Sequence, residues 1–429
     1  MKKLNEDFII NLSNNKGEPL WMKNFRLNSY KKFLELDNPS FGPKINIDFD
    51  NLVYHKGLFA PPSCSWENVD KKVKNTFNDL GVIEAENKYL KGVSNQYESE
   101  VVYHKMEESD GIIFLSTDEA LKKYPELFEK YFNNLVKYDE NKYTALNGAL
   151  WSGGSFIYIP PYTKVDRPLQ SYFRIDTKNL GQFERTIIIV DHDSSLHYIE
   201  GCTAKNYSTT SLHAGVVEIY VGKNSTCKYS TIQNWSKDVY NLVTKRAILE
   251  EGAYMQWVDG NIGSGVTMKY PSCILKGDNS KASSISIAYA KEGQHLDAGA
   301  KMIHLGKNTK STIISKSIAG FGGTSDYRGT VKIAKDATGS FATIKCDNII
   351  LDNISSSNTY PKNIVENNES TLEHEAIISK INEEKLNYLM SLGISEDAAK
   401  DLYVLGFMSD FKKSLPMEYA VELNRLIKE

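Results

Sequence analysis

The sequence predicts a mainly β fold, with a mixed, mostly helical region over residues 1–150, short strands over 151–370 and a helical domain over 371–429. Two observations carry the central part. First, β-branched and aromatic runs such as Ser155-Phe156-Ile157-Tyr158-Ile159 and Thr186-Ile187-Ile188-Ile189-Val190 are split by small polar turns. Second, those turns recur as Gly222-Lys223-Asn224-Ser225, Glu250-Glu251-Gly252-Ala253, Gly277-Asp278-Asn279-Ser280 and Gly306-Lys307-Asn308-Thr309, their glycines 30, 25 and 29 positions apart. Alternating stretches follow, as in Tyr254-Met255-Gln256-Trp257-Val258, and alternation places one face of a strand in a core. A sandwich should offer several two-residue Asn-Gly or Asp-Gly hairpins, and here only Asp259-Gly260 qualifies. Repeats of this length suit the stacked coils of a β-helix. The strand pattern alone leaves both architectures open.

In the N-terminal region, Ser65-Trp66-Glu67-Asn68 opens a helical pattern running through Val73 and Phe77. Ser116-Thr117-Asp118-Glu119 supplies caps ahead of Ala120, Leu121 and Leu127, and Pro125 marks a break or second start. No chemistry is evident there, which suggests an accessory role. At the other end, Asn382-Glu383-Glu384-Lys385 leads into Leu386, Leu389 and Met390, and Gly393 is placed to stop that helix. Ser395-Glu396-Asp397 caps a second helix, and Pro416 begins a third. Three amphipathic helices could cap an open core or present a groove to a partner.

Composition excludes several classes. With 51 basic and 54 acidic residues and a net charge of −3, the chain offers no broad electrostatic footprint for nucleic acid or an anionic membrane. No long apolar run and no signal-peptide core at Met1-Lys2-Lys3-Leu4 are visible, so a cytoplasmic protein is expected. Five scattered cysteines (Cys64, Cys202, Cys227, Cys273, Cys346) without a C-x-x-C pair argue against disulfides and a closed zinc site. The default reading of each is a small buried apolar residue.

Two places could carry more. Cys202 follows an alternating strand and reads first as an inward core cysteine. Yet Arg174, Gln233, Trp235 and Lys245 stand where a dry core would want aliphatics. A nearby Arg or Lys would lower the thiol pKa and stabilise thiolate or persulfide. The second place spans Cys346-Asp347 to Leu372-Glu373-His374-Glu375-Ala376. Thiolate, imidazole and carboxylate are an iron-type ligand set. In a strand, Glu373 and Glu375 share one face and His374 takes the other, so convergence requires the strand to end or bend. The plain alternative is a surface Glu-His-Glu. Gly320-Phe321-Gly322-Gly323 lacks the Gly-Lys-Ser/Thr of a phosphate loop, and no Gly-x-Ser-x-Gly elbow is present.

A family resemblance runs through these residues. The stretches Gly154-Ser155-Phe156-Ile157-Tyr158-Ile159-Pro160, Tyr172-Phe173-Arg174-Ile175, Gly181-Gln182-Phe183-Glu184-Arg185-Thr186 and Glu200-Gly201-Cys202-Thr203-Ala204 carry it. So do Lys228-Tyr229-Ser230-Thr231-Ile232-Gln233-Asn234-Trp235, Val243-Thr244-Lys245-Arg246, Tyr327-Arg328-Gly329, Cys346-Asp347 and Leu372-Glu373-His374-Glu375-Ala376. The chain resembles the SufB/SufD family of the SUF iron–sulfur cluster assembly machinery, and within it the SufB-type scaffolds. The resemblance implies a right-handed parallel β-helix flanked by helical regions. It also implies a scaffold, not an enzyme, holding a transient iron–sulfur cluster. Implied partners are a SufC-like ATPase on roughly residues 380–429, a SufD-like paralogue or a SufB-type homodimer, and a cysteine desulfurase with its sulfur carrier. By resemblance, Cys202 accepts sulfur and Arg174, Gln233, Trp235 and Lys245 conduct it. Cys346 and Glu375, with His374 or Glu373, bind the cluster at the interface with the paralogue.

Departures matter. Asp176 stands on the implied sulfur path where the family usually has asparagine beside Arg174, and there it would pair with the arginine and alter the passage; no N-terminal Cys-x-x-Cys is present. Reduced flavin is associated with the family complex, but no flavin motif is visible. Competing readings are a SufD-like structural subunit and, from another class, a β-helix enzyme acting on polysaccharide. The cysteines disfavour the first and the missing secretion signal the second. A plastid-type organelle is the alternative to the cytoplasm.

Overall fold

The computed structural model describes residues 3–57, 59–107, 111–205, 210–409 and 411. The chain is 42% strand and 23% helix, wound as a β-solenoid of about eight turns. Each turn contributes one strand to each of two facing sheets. The ten-stranded sheet runs in the order Glu100–Met106, Gly92–Tyr97, Leu169–Ile175, Ser195–Ala204, Thr226–Trp235, Tyr254–Gly263, Lys281–Ala290, Lys310–Ala319, Phe341–Ile350, Thr371–Lys380. The path through the second sheet runs from Ser356–Val365 through Thr324–Ile333, His295–His304, Val266–Lys269, Val239–Leu249, Val216–Val221, Arg185–Val190 and Ser155–Ile159 to Ile113–Ser116. Pairing is parallel along the coils, and only the N-terminal ends close with antiparallel pairs, at 92–106 and at 113–116 against 155–159.

The recurring turns predicted from the sequence are the corners of the coil. Asp193, Asn224, Gly252, Asn279 and Asn308 adopt left-handed backbone conformations with φ between 55° and 66°. Short Asx side chains and glycine tolerate that region best. Each corner amide donates to the carbonyl of the next coil, as in Asn224 N–H to Glu251 O at 2.9 Å, Gly252 to Asp278 O at 2.9 Å and Asn279 to Lys307 O at 2.9 Å. Polar corners therefore stack into a ladder that fixes the register of both sheets.

Between the sheets lies one elongated apolar core containing Ile188, Val217, Tyr229, Trp257, Cys273, Ile313, Val331 and Ile344. The outer faces are covered as well. The helices Leu20–Glu35 and Lys142–Leu150 pack on the second sheet, joining Tyr143, Leu146 and Leu150 to Leu212, Leu242 and Met268. The helices Glu383–Ser391 and Glu396–Phe407 pack on the ten-stranded sheet, where Leu386, Ala399, Val404 and Met408 meet Ile232, Val258, Ile287 and Ile318.

One sequence-based boundary needs correction, and two expectations are narrowed. The region over 1–150 contributes the strands at 92–106 and 113–116 to the sheets, because a helical periodicity cannot register short paired strands. Residues 371–380 are the last strand of the ten-stranded sheet, not the start of the helical domain. The C-terminal helices lie on a sheet face rather than over the open end of the core. The third helix expected from Pro416 falls outside the described residues.

Candidate functional site

Side-chain parity decides what enters the solenoid. In Ser195–Ala204, Leu196 and Tyr198 belong to the central core, so Glu200 and Cys202 point inward on the same face. The lateral pairing then carries that face along the axis. From Glu200 the inward row reads Thr231, Asp259, Ser286, Ser315, Cys346, every member buried. Two residues further along each strand the row reads Cys202, Gln233, Asn261, Ala288, Ser317, Asn348. Glu200 and Cys346 are five inter-strand steps apart, roughly 24 Å at about 4.8 Å per step. The preceding row is aromatic by contrast, with Tyr198, Tyr229 and Trp257 tilted against one another at 5.1 Å centroid spacings. The interior is thus half hydrocarbon and half polar lane.

The lane is charged where it begins. Glu200 Oε1 accepts from Lys245 Nζ at 3.0 Å, from Thr231 at 3.4 Å and from the Cys202 thiol at 3.8 Å, while Tyr229 donates its hydroxyl to Oε2. Lys269 Nζ binds Asp259 at 2.9 Å and Gln233 Oε1 at 3.2 Å. Asn241 donates to Gln233 at 2.7 Å and faces His213 Nδ1 at 2.9 Å, and His213 Nε2 meets Glu184 at 2.9 Å. The His213 ring packs 4.6 Å from Trp235. Several polar atoms of the lane find no protein partner: Gln233 Nε2, Asp259 Oδ2, Asn261 Oδ1 and Asn348 Oδ1. Such orphans are rare in a folded interior.

Electrostatics follows from these contacts. Burial alone would protonate Glu200, but Lys245 and the Tyr229 hydroxyl outweigh it and hold its pKa below the usual carboxylate value. Burial, then Glu200 and Glu184, push the Cys202 thiol well up. Lys245 and Lys269 do act to lower the thiol, as expected of neighbouring cations, but burial and the two carboxylates outweigh them. Burial disfavours the His213 imidazolium, yet Glu184 and Asn241 prevail and raise its pKa. A raised folded-state pKa gives stability that is complete below the unfolded value near 6.5 and is lost as pH rises through the folded value. Denaturation midpoints should accordingly fall above about pH 6.5, and His213→Gln should flatten that limb. An unchanged curve in the variant would assign the loss elsewhere.

Of the residues singled out from the sequence, Cys202, Gln233, Trp235 and Lys245 meet inside the lane. Arg174 and Asp176 do not. Phe173 is the residue opposite Cys202, so Arg174 projects to the outer face. There it binds Asp176 at 2.7 Å and Thr203 at 2.9 Å, with the Tyr97 hydroxyl on Asp176 at 3.1 Å. Glu200, Glu184, His213, Asp259 and Lys269 were missed, although counting back by two from Cys202 reaches Glu200.

At the far end, Cys346 is buried, and burial pushes its pKa up to about 12. The last strand neither ends nor bends at 373–375. His374 shares the inward parity of Cys346, opposite Ile344, whereas Glu373 and Glu375 point outward and Glu375 lies 3.6 Å from Lys345. His374 Nδ1 meets Asn363 at 3.0 Å, and its Nε2 is buried without a partner. Among the described residues no group of three or more His, Cys, Asp or Glu could hold a metal ion. One chain supplies two inward candidates, Cys346 and His374, and the carboxylates expected beside them stand on the other face.

Residues 173–407 match the family described as "SUF system FeS cluster assembly, SufBD core domain", and residues 68–171 match "SufBD protein N-terminal region". The chain is 53% identical to the "Iron-sulfur cluster assembly protein SufB" of Bacillus subtilis (strain 168), over 99% of this chain and 92% of that protein. It is 54% identical to an "Iron-sulfur cluster assembly SufBD family protein" of Staphylococcus saprophyticus over the same shares of the two chains. A Staphylococcus aureus (strain MRSA252) protein of the same description is also 54% identical over those shares. No helix among the described residues is long and apolar enough to cross a membrane.

Proposed function

The chain belongs to the SufBD family of SUF-system iron–sulfur cluster assembly proteins, and from that premise we propose that it is the scaffold on which a nascent cluster is built. In this reading Cys202 accepts sulfur, the polar lane passes it to Cys346, and Cys346 with His374 holds the growing cluster until transfer. The observation that carries it is the lane itself. A structural solenoid would fill its interior with aliphatics, because burying charge and unpaired polar atoms is costly. Here such groups lie in two rows between the two cysteines.

A two-ligand set calls for a second subunit to complete the coordination, a SufD-like paralogue or another copy of this chain. The strands 356–365 and 371–380 support this, since Tyr360, Val365, Ile377 and Ile378 are exposed at the end of the solenoid. The scaffold turns over no substrate alone; ATP hydrolysis belongs to a SufC-like partner on the C-terminal helices, where Tyr388, Leu392 and Leu402 are exposed. A cysteine desulfurase with its carrier supplies the sulfur, and the assembly works in the cytoplasm. Glu373 and Glu375, outward on the last strand, would reach a cluster only across the subunit interface.

The test is anaerobic cluster formation by the assembled complex, followed by visible absorbance, with desulfurase or inorganic sulfide as sulfur source. Cys202→Ser should lose desulfurase-dependent loading and keep loading from sulfide. Cys346→Ala should lose both. Equal performance of Cys202→Ser with the two sources would end the relay reading, and full cluster formation by Cys346→Ala would remove that ligand.

A further inference from the structure

Cys202 must lose a proton before it can accept sulfur, and its surroundings leave little choice of acceptor. The thiol is buried, and its hydrogen bond goes to Glu200 Oε1 at 3.8 Å. The other groups on Glu200 are all donors: Lys245 Nζ at 3.0 Å, the Thr231 hydroxyl at 3.4 Å and the Tyr229 hydroxyl. Across the interior, His213 is committed to Glu184 and Asn241, and Lys269 to Asp259 and Gln233. Among the described residues Glu200 is thus the one ionised acceptor hydrogen-bonded to the sulfur.

We propose that Glu200 is the base that deprotonates Cys202 during sulfur uptake, and that Lys245 then compensates the charge left on the sulfur. This rests on the reading that Cys202 is the sulfur acceptor. The donor is a persulfide, R–S–S–H. The Cys202 proton passes to Glu200 Oε1 as Sγ attacks the terminal sulfur of the donor. A new S–S bond forms at Cys202, and the donor S–S bond breaks with its electron pair going to R–S. Glu200 passes the proton it took from Cys202 to that thiolate, and the products are Cys202–S–S–H and R–S–H. Nothing is oxidised or reduced overall. Neutralising Glu200 frees the Lys245 ammonium from its carboxylate while negative charge resides on Sγ, so the net charge of the Lys245–Glu200–Cys202 group is unchanged by the proton transfer that precedes attack. In a low-dielectric interior that constancy keeps the barrier low.

The experiment uses the full chain with cysteine persulfide as donor, and mass spectrometry of trapped persulfide on the Cys202 peptide gives the rate against pH. The wild type should react at a rate level across the neutral range. Glu200→Gln keeps size and an acceptor oxygen but takes no proton; its rate should fall about 100-fold at pH 7 and climb about tenfold per pH unit, as hydroxide replaces the carboxylate. Glu200→Asp preserves the charge pair with Lys245 and so protects the fold. Drawing the carboxylate back should slow it several-fold without altering the level profile. A folded Glu200→Gln reacting as fast as wild type, or faster because Lys245 now ionises the thiol directly, overturns the proposal. So does Glu200→Asp at the wild-type rate, should the glutamine variant not fold. Absence of persulfide on Cys202 in the wild type would instead overturn the sulfur-acceptor reading, and this one with it.

Discussion

Glu218→Ala is expected to cost roughly 3–5 kcal/mol of folding stability, the penalty of breaking a buried ion pair from one side. Glu218 stands outward on Val216–Val221, in the strand laterally paired with Arg185–Val190, and both it and Arg185 are buried beneath the N-terminal helices. Arg185 Nη2 binds Glu218 Oε2 at 2.8 Å and Val136 O at 3.2 Å, with the guanidinium 4.3 Å from the Phe132 ring centroid. Glu218 also accepts from the backbone amides of Asn133 at 3.0 Å, Leu135 at 2.7 Å and Val136 at 3.0 Å. One carboxylate therefore ties the 132–136 turn to the second sheet. Its removal leaves a buried cation and three amides without their acceptor, each loss adding its own desolvation penalty. Urea denaturation should show a large fall in midpoint, and Glu218→Gln, which retains an acceptor for the amides, a smaller one. A loss below about 1 kcal/mol for the alanine variant would mean that this turn relaxes freely and the clamp anchors nothing.

Much of the architecture was legible because corners are chemically distinctive. Asn224, Gly252, Asn279 and Asn308 announce the coil through residues that tolerate left-handed backbone, and the alternation between them gives one buried face. Legibility failed where burial fails. Thr371–Lys380 is a strand, but most of its residues are exposed, so no apolar alternation distinguishes it from a helix start. The site shows the same limit in another form. Cys202 and Lys245 stood out as residue types, but which residues face them depends on register between strands about 30 positions apart, which no local pattern sets. Arg174 was placed in the interior for that reason, and the structure turns it outward by a parity of one.

Ser315→Leu is expected to separate the two ends of the lane. Ser315 sits between Ser286, whose hydroxyl donates to it at 3.2 Å, and Cys346 in the next strand. From Asp259 onward the row is narrow and hydroxylic, with Ser286 and Ser315 the last side chains before Cys346. A leucine there fills the row with hydrocarbon and removes a hydroxyl that polar cargo would pass. The fold should tolerate it, since overpacking a core by a few methylenes costs about 1–3 kcal/mol against a typical total of roughly 5–15 kcal/mol. The proposed path then predicts a split result in the assembled complex. Persulfide should still form on Cys202, four strands away, while desulfurase-driven cluster formation drops tenfold or more. Ser315→Ala keeps the row open and should stay close to wild type, so that loss in the leucine variant reads as obstruction rather than as a missing hydrogen bond. Sulfide supplied directly at the Cys346 end should restore the leucine variant, because the block lies upstream of the assembly site. A folded Ser315→Leu that builds clusters from desulfurase sulfur at the wild-type rate would show that sulfur reaches Cys346 by another route, and the polar rows would then need a purely structural account.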